Sequence, residues 1–353
     1  MRKRTVSLRI TAEQLAKTLG ISAMTVSRAL NNHPHVHPKT RMKVMEAARR
    51  LGYSPDFIAK SLAIKKTHTI GVVVPEITHS FFPEAIRGIE EVTYDQGYHL
   101  ILMHSAESAD RERDALETLE SKRVDGILIS TAQNISDHSC YLQIVRKGTA
   151  LVFFDRCVWG IGASCVSIDD ERSAKQITAH LLAHRYKRIA HLAGPLKLSI
   201  SKARLNGFQK ALRERNLAIY RELIVESGLH EQGGYEAMRK ILNLPVKLWP
   251  RAVVAVNDPA AFGAMRAISE HGLRIPDDIA IVGFSDDIRA AILTPPLTTV
   301  RQPAFDVGRK AAQRLFAQIK GVEKKAERFE IPAELIIRRS CGCLYPDADA
   351  TAG

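Results

Sequence analysis

Two spacings of apolar residues succeed one another along the chain, and the change between them falls near residue 66. Before it the apolar positions follow a helical period, with Leu15, Leu19, Val26 and Leu30 placed to pack two short helices together. Thr11 is suited to cap the first of these, which runs through residue 19, because its hydroxyl can accept an otherwise unpaired backbone N–H. Gly20 stops it, since glycine enters the left-handed conformation beyond a helix end without strain. Ile21-Ser22 makes the turn, Ser22 caps again, and a second helix follows over 23–30. A third runs over 38–51, with Pro38 at its first position and Gly52 as its stop. Two short helices on a tight glycine turn form a helix-turn-helix, whose second helix enters a major groove. The outward face of that helix carries Ala23, Met24, Ser27 and Arg28. Arg28 suits the two acceptors of a guanine edge, and Ala23 and Met24 suit a thymine methyl.

Beyond the linker Lys65-Lys66-Thr67-His68, short continuous apolar runs alternate with helical stretches. Strands are expected at 70–74, 100–103, 126–130 and 151–155. A second set is expected at 165–168, 189–193, 223–226, 252–256 and 279–283. Strands apolar on both faces and separated by helices imply parallel sheets covered on both sides. The fold class is therefore α/β, a helix-turn-helix unit followed by a core of two doubly wound subdomains with a cleft between them. Ligands in such sheets lie at the carboxyl ends of the strands. The loops at 75–82, Asp155-Arg156, Asn257-Asp258 and 284–287 fall there.

Charge sharpens this division. Residues 1–66 carry 14 Lys/Arg against 3 Asp/Glu, so a net +11 of the chain's +13 sits in the first fifth of its 353 residues. That segment has apolar periodicity and is not low-complexity, so the charge decorates a folded surface, as expected of a phosphate-binding module. No apolar run reaches membrane-span length, and the N-terminus does not read as a secretory signal. The five cysteines, Cys140, Cys157, Cys165, Cys341 and Cys343, fit no disulfide framework, which points to a reducing, cytoplasmic setting. Cys341-Gly-Cys343 lacks the usual ligand spacing and a second ligand pair, so no metal is expected there. The loop His33-Pro34-His35-Val36-His37 reads as a polar turn beside a DNA backbone. No enzyme motif assembles: Gly-x-Ser-x-Gly, a phosphate-binding P-loop and His-Glu-x-x-His are all missing. The first strand-to-helix loop, Pro75-Glu76-Ile77-Thr78-His79, lacks the glycines that let a backbone approach a pyrophosphate. A nucleotide-using enzyme and a sugar-binding protein of a transport system are thus the weaker alternatives. Neither explains the basic first segment, and a gel shift separates them from a regulator. No cofactor is expected.

Several uncommon features occur in order at matching spacing. Leu15-Ala16, Gly20-Ile21-Ser22, Thr25-Val26-Ser27-Arg28, Asn31, Thr40-Arg41 and Gly52-Tyr53-Ser54-Pro55 resemble the signature of the LacI/GalR (lactose-repressor) family. The resemblance continues through Ile70-Gly71-Val72-Val73-Val74-Pro75, Ser80-Phe81-Phe82, Asp125-Gly126-Ile127, Phe154-Asp155-Arg156, Arg204, Gly207-Phe208, Asn257-Asp258, Gly283-Phe284 and Pro296-Leu297-Thr298-Thr299-Val300, covering residues 11 to about 340. It implies a core of the periplasmic-binding-protein type, a homodimer, and double-stranded operator DNA with pseudo-palindromic half-sites. It also implies a DNA-contacting set of Thr11, Ser22, Ala23, Met24, Thr25, Ser27, Arg28, Asn31, His35, Thr40 and Tyr53. Residues 55–62 resemble the family's hinge helix, whose leucine wedges between base steps in the minor groove; Leu62 matches it. By the same resemblance the chain divides into a DNA-binding domain at 1–63, a linker at 64–69, a core at 70–340 and a tail at 341–353. The core comprises a first subdomain at 70–164 and 303–327 and a second at 165–298 and 328–340.

The implied effector set is Phe81, Asp155, Arg156, Leu198, Arg204, Asn257, Phe284 and Ser285. Phe81 offers a face on which a sugar ring can stack. Asp155 and Asn257 bond hydroxyls, and Arg204 presents a fixed fork of donors. Arg156 reads more readily as a structural ion-pair residue than as a ligand contact, and Asp258 as a cap of the helix that begins at Pro259. Three departures from the family pattern matter. Asp56 replaces an Asn at the hinge, and Gln14 replaces an Asp, with consequences for capping only. Ser285 stands where the family often has an Asp that contacts the ligand. Losing that carboxylate beside Arg204 tilts the expected effector toward an anion, a sugar acid or sugar phosphate, with a neutral monosaccharide as the alternative.

Overall fold

The structure is a computed structural model that describes residues 10–53, 66–133, 135–323 and 325–343. The chain divides into two compact units, Met1–Thr67 and His68–Gly353.

The first unit holds helices α1 (Ala12–Leu19), α2 (Ala23–Leu30) and α3 (Pro38–Arg50). Their ends are set by local chemistry. Thr11 and Gln14 close a reciprocal capping box at 2.9 and 3.2 Å, so the Gln at the family's Asp position is itself part of the cap. Gly20 takes φ +65°, with its N–H on the carbonyls of Ala16 and Lys17. Ser22 Oγ accepts the Thr25 N–H at 3.1 Å. His37 caps α3 through Nδ1, 3.2 Å from Lys39 N. Leu15, Ala16, Val26, Ala29, Val44 and Ala47 form the buried centre, with Leu19, Leu30, Leu51 and Tyr53 packed around it. The hinge region expected at 55–62, with Asp56 and Leu62, lies outside the described residues.

The second unit contains two parallel sheets. The first is ordered β11-β5-β4-β3-β1-β2 and the second β7-β6-β8-β9. Their strands are β1 (Thr69–Val74), β2 (His99–His104), β3 (Gly126–Ile129), β4 (Ala150–Phe154), β5 (Ser164–Ser167), β6 (Ile189–Ala193), β7 (Ile224–Glu226), β8 (Ala252–Ala255), β9 (Ala280–Val282) and β11 (Arg328–Glu330). β10 (Thr299–Arg301) and β12 (Glu334–Ile336) form an antiparallel pair where the chain passes between the sheets. The helices are α4 (Phe81–Asp95), α5 (Ala109–Ser121), α6 (Ser139–Arg146), α7 (Asp170–Ala183), α8 (Ser199–Glu214), α9 (Glu231–Leu242), α10 (Asp258–Glu270) and α11 (Ala304–Ile319).

The period-two alternation of the strands feeds separate cores. Ile70, Val72 and Val74 of β1 bury with Ala85 and Ile89 of α4 and with Val307, Ala311 and Leu315 of α11. Val73 turns to the other face, with Leu116 and Leu119 of α5 and Tyr141 and Ile144 of α6. The second sheet does the same. Val254 and Val282 join Ile177, Leu181 and Phe208, while Val253 and Ile281 join Met238, Ile241 and Ile268. Each such aliphatic burial stabilises by roughly 1.5–3 kcal/mol. α4 and α11 cross so closely that a Cβ on Gly88 would strike the Phe305 carbonyl, and one on Gly308 the Ala85 carbonyl.

Two strands sit on the other side of the expected boundary. The sequence pattern assigns the run at 165–168 to the second set, and the family resemblance assigns residues 328–340 to the second subdomain. Instead β5 pairs in parallel with β4, Phe153 opposite Cys165, and β11 pairs with β5, Phe329 opposite Val166. Both therefore extend the first sheet. Pairing of a short edge strand such as Arg-Phe-Glu is a tertiary event with little pattern of its own. The expectation of unpaired cysteines also fails at one place: Cys157 and Cys165 form a disulfide, because the β4–β5 pairing brings the loop after β4 beside β5.

Candidate functional site

In the first unit, Ala23, Met24, Ser27 and Arg28 are exposed along one side of α2 while Val26 and Ala29 are buried on the other. Met24 is 63% exposed, an apolar side chain left in solvent at the face expected to meet a base edge. Thr25 is half-buried, its hydroxyl 2.9 Å from Ser22 Oγ. Asn31 is exposed and bonds the Ser27 carbonyl at 2.9 Å. Thr11 and His35 are exposed, and Thr40 and Tyr53 half-buried. Lys39, Lys43, Arg49 and Arg50 add exposed positive charge, while Arg41 is engaged with the His33 carbonyl at 2.8 Å. A folded face with this much exposed positive charge attracts a polyanion by counterion release.

In the second unit, a cleft lies at the carboxyl ends of the strands, lined by residues that follow β1, β4 and β8 and by the turn after β9. Phe81, Asp155, Arg156, Arg204, Asn257 and Ser285 all line it. Leu198 does not. It precedes the first turn of α8 and is buried in the second core, and Ile200, two residues on, faces the cleft instead. Phe284 is fully buried beneath the site, its ring centroid 3.8 Å from the Arg204 guanidinium carbon.

The two arginines are already matched. Arg204 donates through Nε to Asp170 Oδ1 at 2.8 Å, has a second nitrogen 2.7 Å from the same carboxylate, and bonds the Val256 carbonyl at 2.7 Å. Arg156 bonds both oxygens of Glu107 at 2.9 Å and the Thr131 carbonyl at 3.1 Å. Asp155, at φ +60°, has burial as the main cause of a carboxyl pushed up to about 6, opposed by Arg156 and Arg204 and by a bond from Gln302. Burial likewise raises Asp170 against the pull of Arg204. Asn257 caps α10, accepting from Ala260 N at 2.9 Å and donating to the Leu229 carbonyl at 2.8 Å. Asp258 is not the cap. It is buried, accepts from Asp287 N at 2.7 Å and Thr299 Oγ1 at 2.6 Å, and so holds the turn that presents Ser285. A Cβ on Gly283 would collide with that carboxylate.

Sequence reasoning missed Glu107, Asp170, Gln302, His79 and His230. His79 is buried enough that both ring nitrogens lack solvent and have no hydrogen-bond partner among the described residues, and burial lowers its pKa. Glu76, His79 and His230 bring ligand-type atoms within 4.8 Å of one another, and so do His180, His184, Cys341 and Cys343 outside the cleft. The second ligand pair that Cys341-Gly-Cys343 lacks in sequence is thus supplied by His180 of α7 and by its C-cap, His184.

A helix-turn-helix unit joined to a two-sheet core with a polar cleft defines the class of DNA-binding regulators that carry a ligand-binding type of domain. Residues 11–56 match the family described as bacterial regulatory proteins, lacI family, and residues 178–341 match the periplasmic binding protein-like domain. The HTH-type transcriptional repressor PurR of Histophilus somni (strain 129Pt) is 35% identical over 330 residues, 94% of this chain and 98% of that protein. PurR of Pasteurella multocida (strain Pm70) is 36% identical over 337 residues, with the same coverage. Among solved structures, the lac repressor dimer bound to operator and the anti-inducer ONPF superposes with a TM-score of 0.83 at 27% identity, covering 94% of this chain and 99% of that one. The regulator CelR in complex with cellobiose gives 0.73 at 28%, covering 94% and 100%. The chain belongs to the LacI family. It is a DNA-binding transcriptional repressor of that family, not an enzyme.

Proposed function

We propose that this repressor works in the cytoplasm as a homodimer on a pseudo-palindromic operator, and that a neutral sugar bound in the cleft sets its grip on DNA. The observation that carries the effector class is the Arg204–Asp170 pair. The carboxylate expected at Ser285 is missing, but Asp170 neutralises Arg204, and Glu107 neutralises Arg156. The cleft thereby offers matched charges and single polar groups, Asp155, Gln302 and Ser285, with Phe81 as an apolar face. That inventory suits hydroxyls on a ring and no longer favours an anion. Two relatives in the solved structures point the same way: CelR is described with cellobiose, and a LacI-family regulator from Enterococcus faecium, 29% identical with a TM-score of 0.68 over 77% of this chain and 98% of that one, with bound ribose. A sugar acid is the second reading, favoured by the unpartnered His79 beside His230, which an acidic ligand could engage.

On DNA, Arg28, Met24 and Ala23 read base edges, Ser22, Thr25, Ser27, Asn31, Thr11, His35, Thr40 and Tyr53 position the unit on the backbone, and Leu62 wedges the minor groove. A two-fold dimer then reads two half-sites of opposite orientation. Calorimetry of the full chain with matched pairs of neutral sugars and their acids tests the effector class. Heat from a neutral sugar and none from its acid supports it; the reverse order moves the assignment to sugar acids.

A further inference from the structure

We propose that His180, His184, Cys341 and Cys343 form a structural zinc site that clamps the end of the core onto helix α7. His180 lies in the last turn of that helix and His184 is its C-cap, with ring centroids 4.9 Å apart and planes at 72°. Cys341 and Cys343 follow β12, some 160 positions further along the chain, and the fold brings them to the two rings. Cys341 Sγ lies 3.3 Å from His180 Nε2, and Cys343 Sγ lies 3.5 Å from His180 Nε2 and 3.0 Å from His184 Nε2. All four ligand atoms fall within 4.8 Å of one another. A tetrahedral zinc with two thiolates and two imidazoles sets sulfur and nitrogen about 3.6 Å apart, given bonds of about 2.3 and 2.05 Å. The three sulfur–nitrogen spacings lie within about 0.6 Å of that value.

The chemistry fits the ion. Two thiolates and two neutral imidazoles cancel a divalent charge, so a half-buried site ends neutral, and both thiol protons leave to solvent on binding. Four protein ligands close the coordination sphere, as in structural rather than catalytic zinc sites. The surroundings support the ligands: Thr298 Oγ1 donates to Cys341 Sγ at 3.1 Å, and Tyr186 OH to the Cys341 carbonyl at 3.3 Å. His184 is exposed and Cys343 half-buried, which leaves a path for the ion. What the clamp would hold is the segment from Arg338. Arg338 bonds Asp286 at 2.7 Å and the Leu297 carbonyl at 2.9 Å, and Ser340 bonds the Ile281 carbonyl at 2.6 Å and accepts from Thr298 N at 2.8 Å. The ion would therefore fix the segment from Arg338 to Cys343 to the second sheet beside the turn that carries Ser285.

The test is cobalt titration of the full-length, tag-free protein, stripped of metal and kept under a phosphine reductant. Tetrahedral cobalt on two thiolates gives intense visible bands and a near-ultraviolet thiolate-to-cobalt band. The expected result is saturation at about one cobalt per chain, with zinc displacing it stoichiometrically. Cys343→Ser and His184→Gln, both at solvent-accessible positions, should each weaken cobalt binding at least about tenfold while circular dichroism stays unchanged. His79→Ala should leave the spectrum intact. An absent thiolate band in the wild type, or an undiminished one in Cys343→Ser, overturns the site.

Discussion

Arg204 and Asp170 meet across the head of the second subdomain in a two-nitrogen contact at 2.7 and 2.8 Å, with the guanidinium laid over Phe284. Both side chains are buried. Removing one member of such a pair strands the other charge in a site without solvent. Arg204→Ala is therefore expected to destabilise the core by about 3–5 kcal/mol, well beyond any loss of ligand affinity. Arg204→Leu combined with Asp170→Leu should recover most of that loss, because the uncompensated charge is gone. Urea unfolding of the three proteins measures it. A single Arg204→Ala variant as stable as the wild type would mean the pair is not formed.

Asp155 gives the cleft a pH dependence. Its folded-state pKa, about 6, lies above the usual carboxyl value, chiefly through burial. A ligand hydroxyl donates more strongly to the ionised form than to the neutral acid. Affinity should thus be flat above pH 7 and fall toward tenfold per unit as pH drops below about 6. Calorimetry at pH 5 and pH 8 should differ by about tenfold, and Asp155→Asn should flatten the profile at uniformly lower affinity. For stability the sign is opposite: a raised carboxyl pKa favours the protonated folded state, so its contribution is fully present below pH 4 and lost as pH rises through 6. A ligand whose affinity ignores pH over this window does not bond Asp155.

At the DNA surface, Arg28→Ala should cost about 1–3 kcal/mol and relax preference at one base pair per half-site. Lys43→Ala, a backbone-type contact, should weaken all sequences alike and reduce the salt slope by about one. Leu62→Ala should reduce DNA bending while sparing non-specific binding. Anisotropy titrations across salt, with a circular-permutation bending assay, separate the three.

The parts legible in the sequence were those decided locally. Thr11, Gly20 and Ser22 set helix ends through their own side chains and backbone, so α1 and α2 fall where their caps put them. Strand positions followed from continuous apolar runs. Membership of a sheet did not, because β5 and β11 are short and their pairing is decided by the whole core. Arg204 could be found by motif, but its partner Asp170 is 34 positions away and opens a different helix. The same distance problem hid the histidine pair from Cys341 and Cys343. Leu198 leaves the cleft because the chain turns into α8 at Ser199, which places Ile200 at the cleft and Leu198 in the core.

In the proposed mode of action, a two-fold repressor is released from or fixed to its operator by a sugar in the cleft. The most direct measurement is footprinting of the full-length protein on DNA selected from a random pool, with and without a sugar that calorimetry shows to bind. The expected result is a pseudo-palindromic footprint with two half-sites meeting at a kinked centre, whose occupancy shifts on adding the sugar and does not shift in a cleft variant such as Asp155→Asn. A single asymmetric footprint, or one equally insensitive to the ligand in wild type and variant, would contradict it.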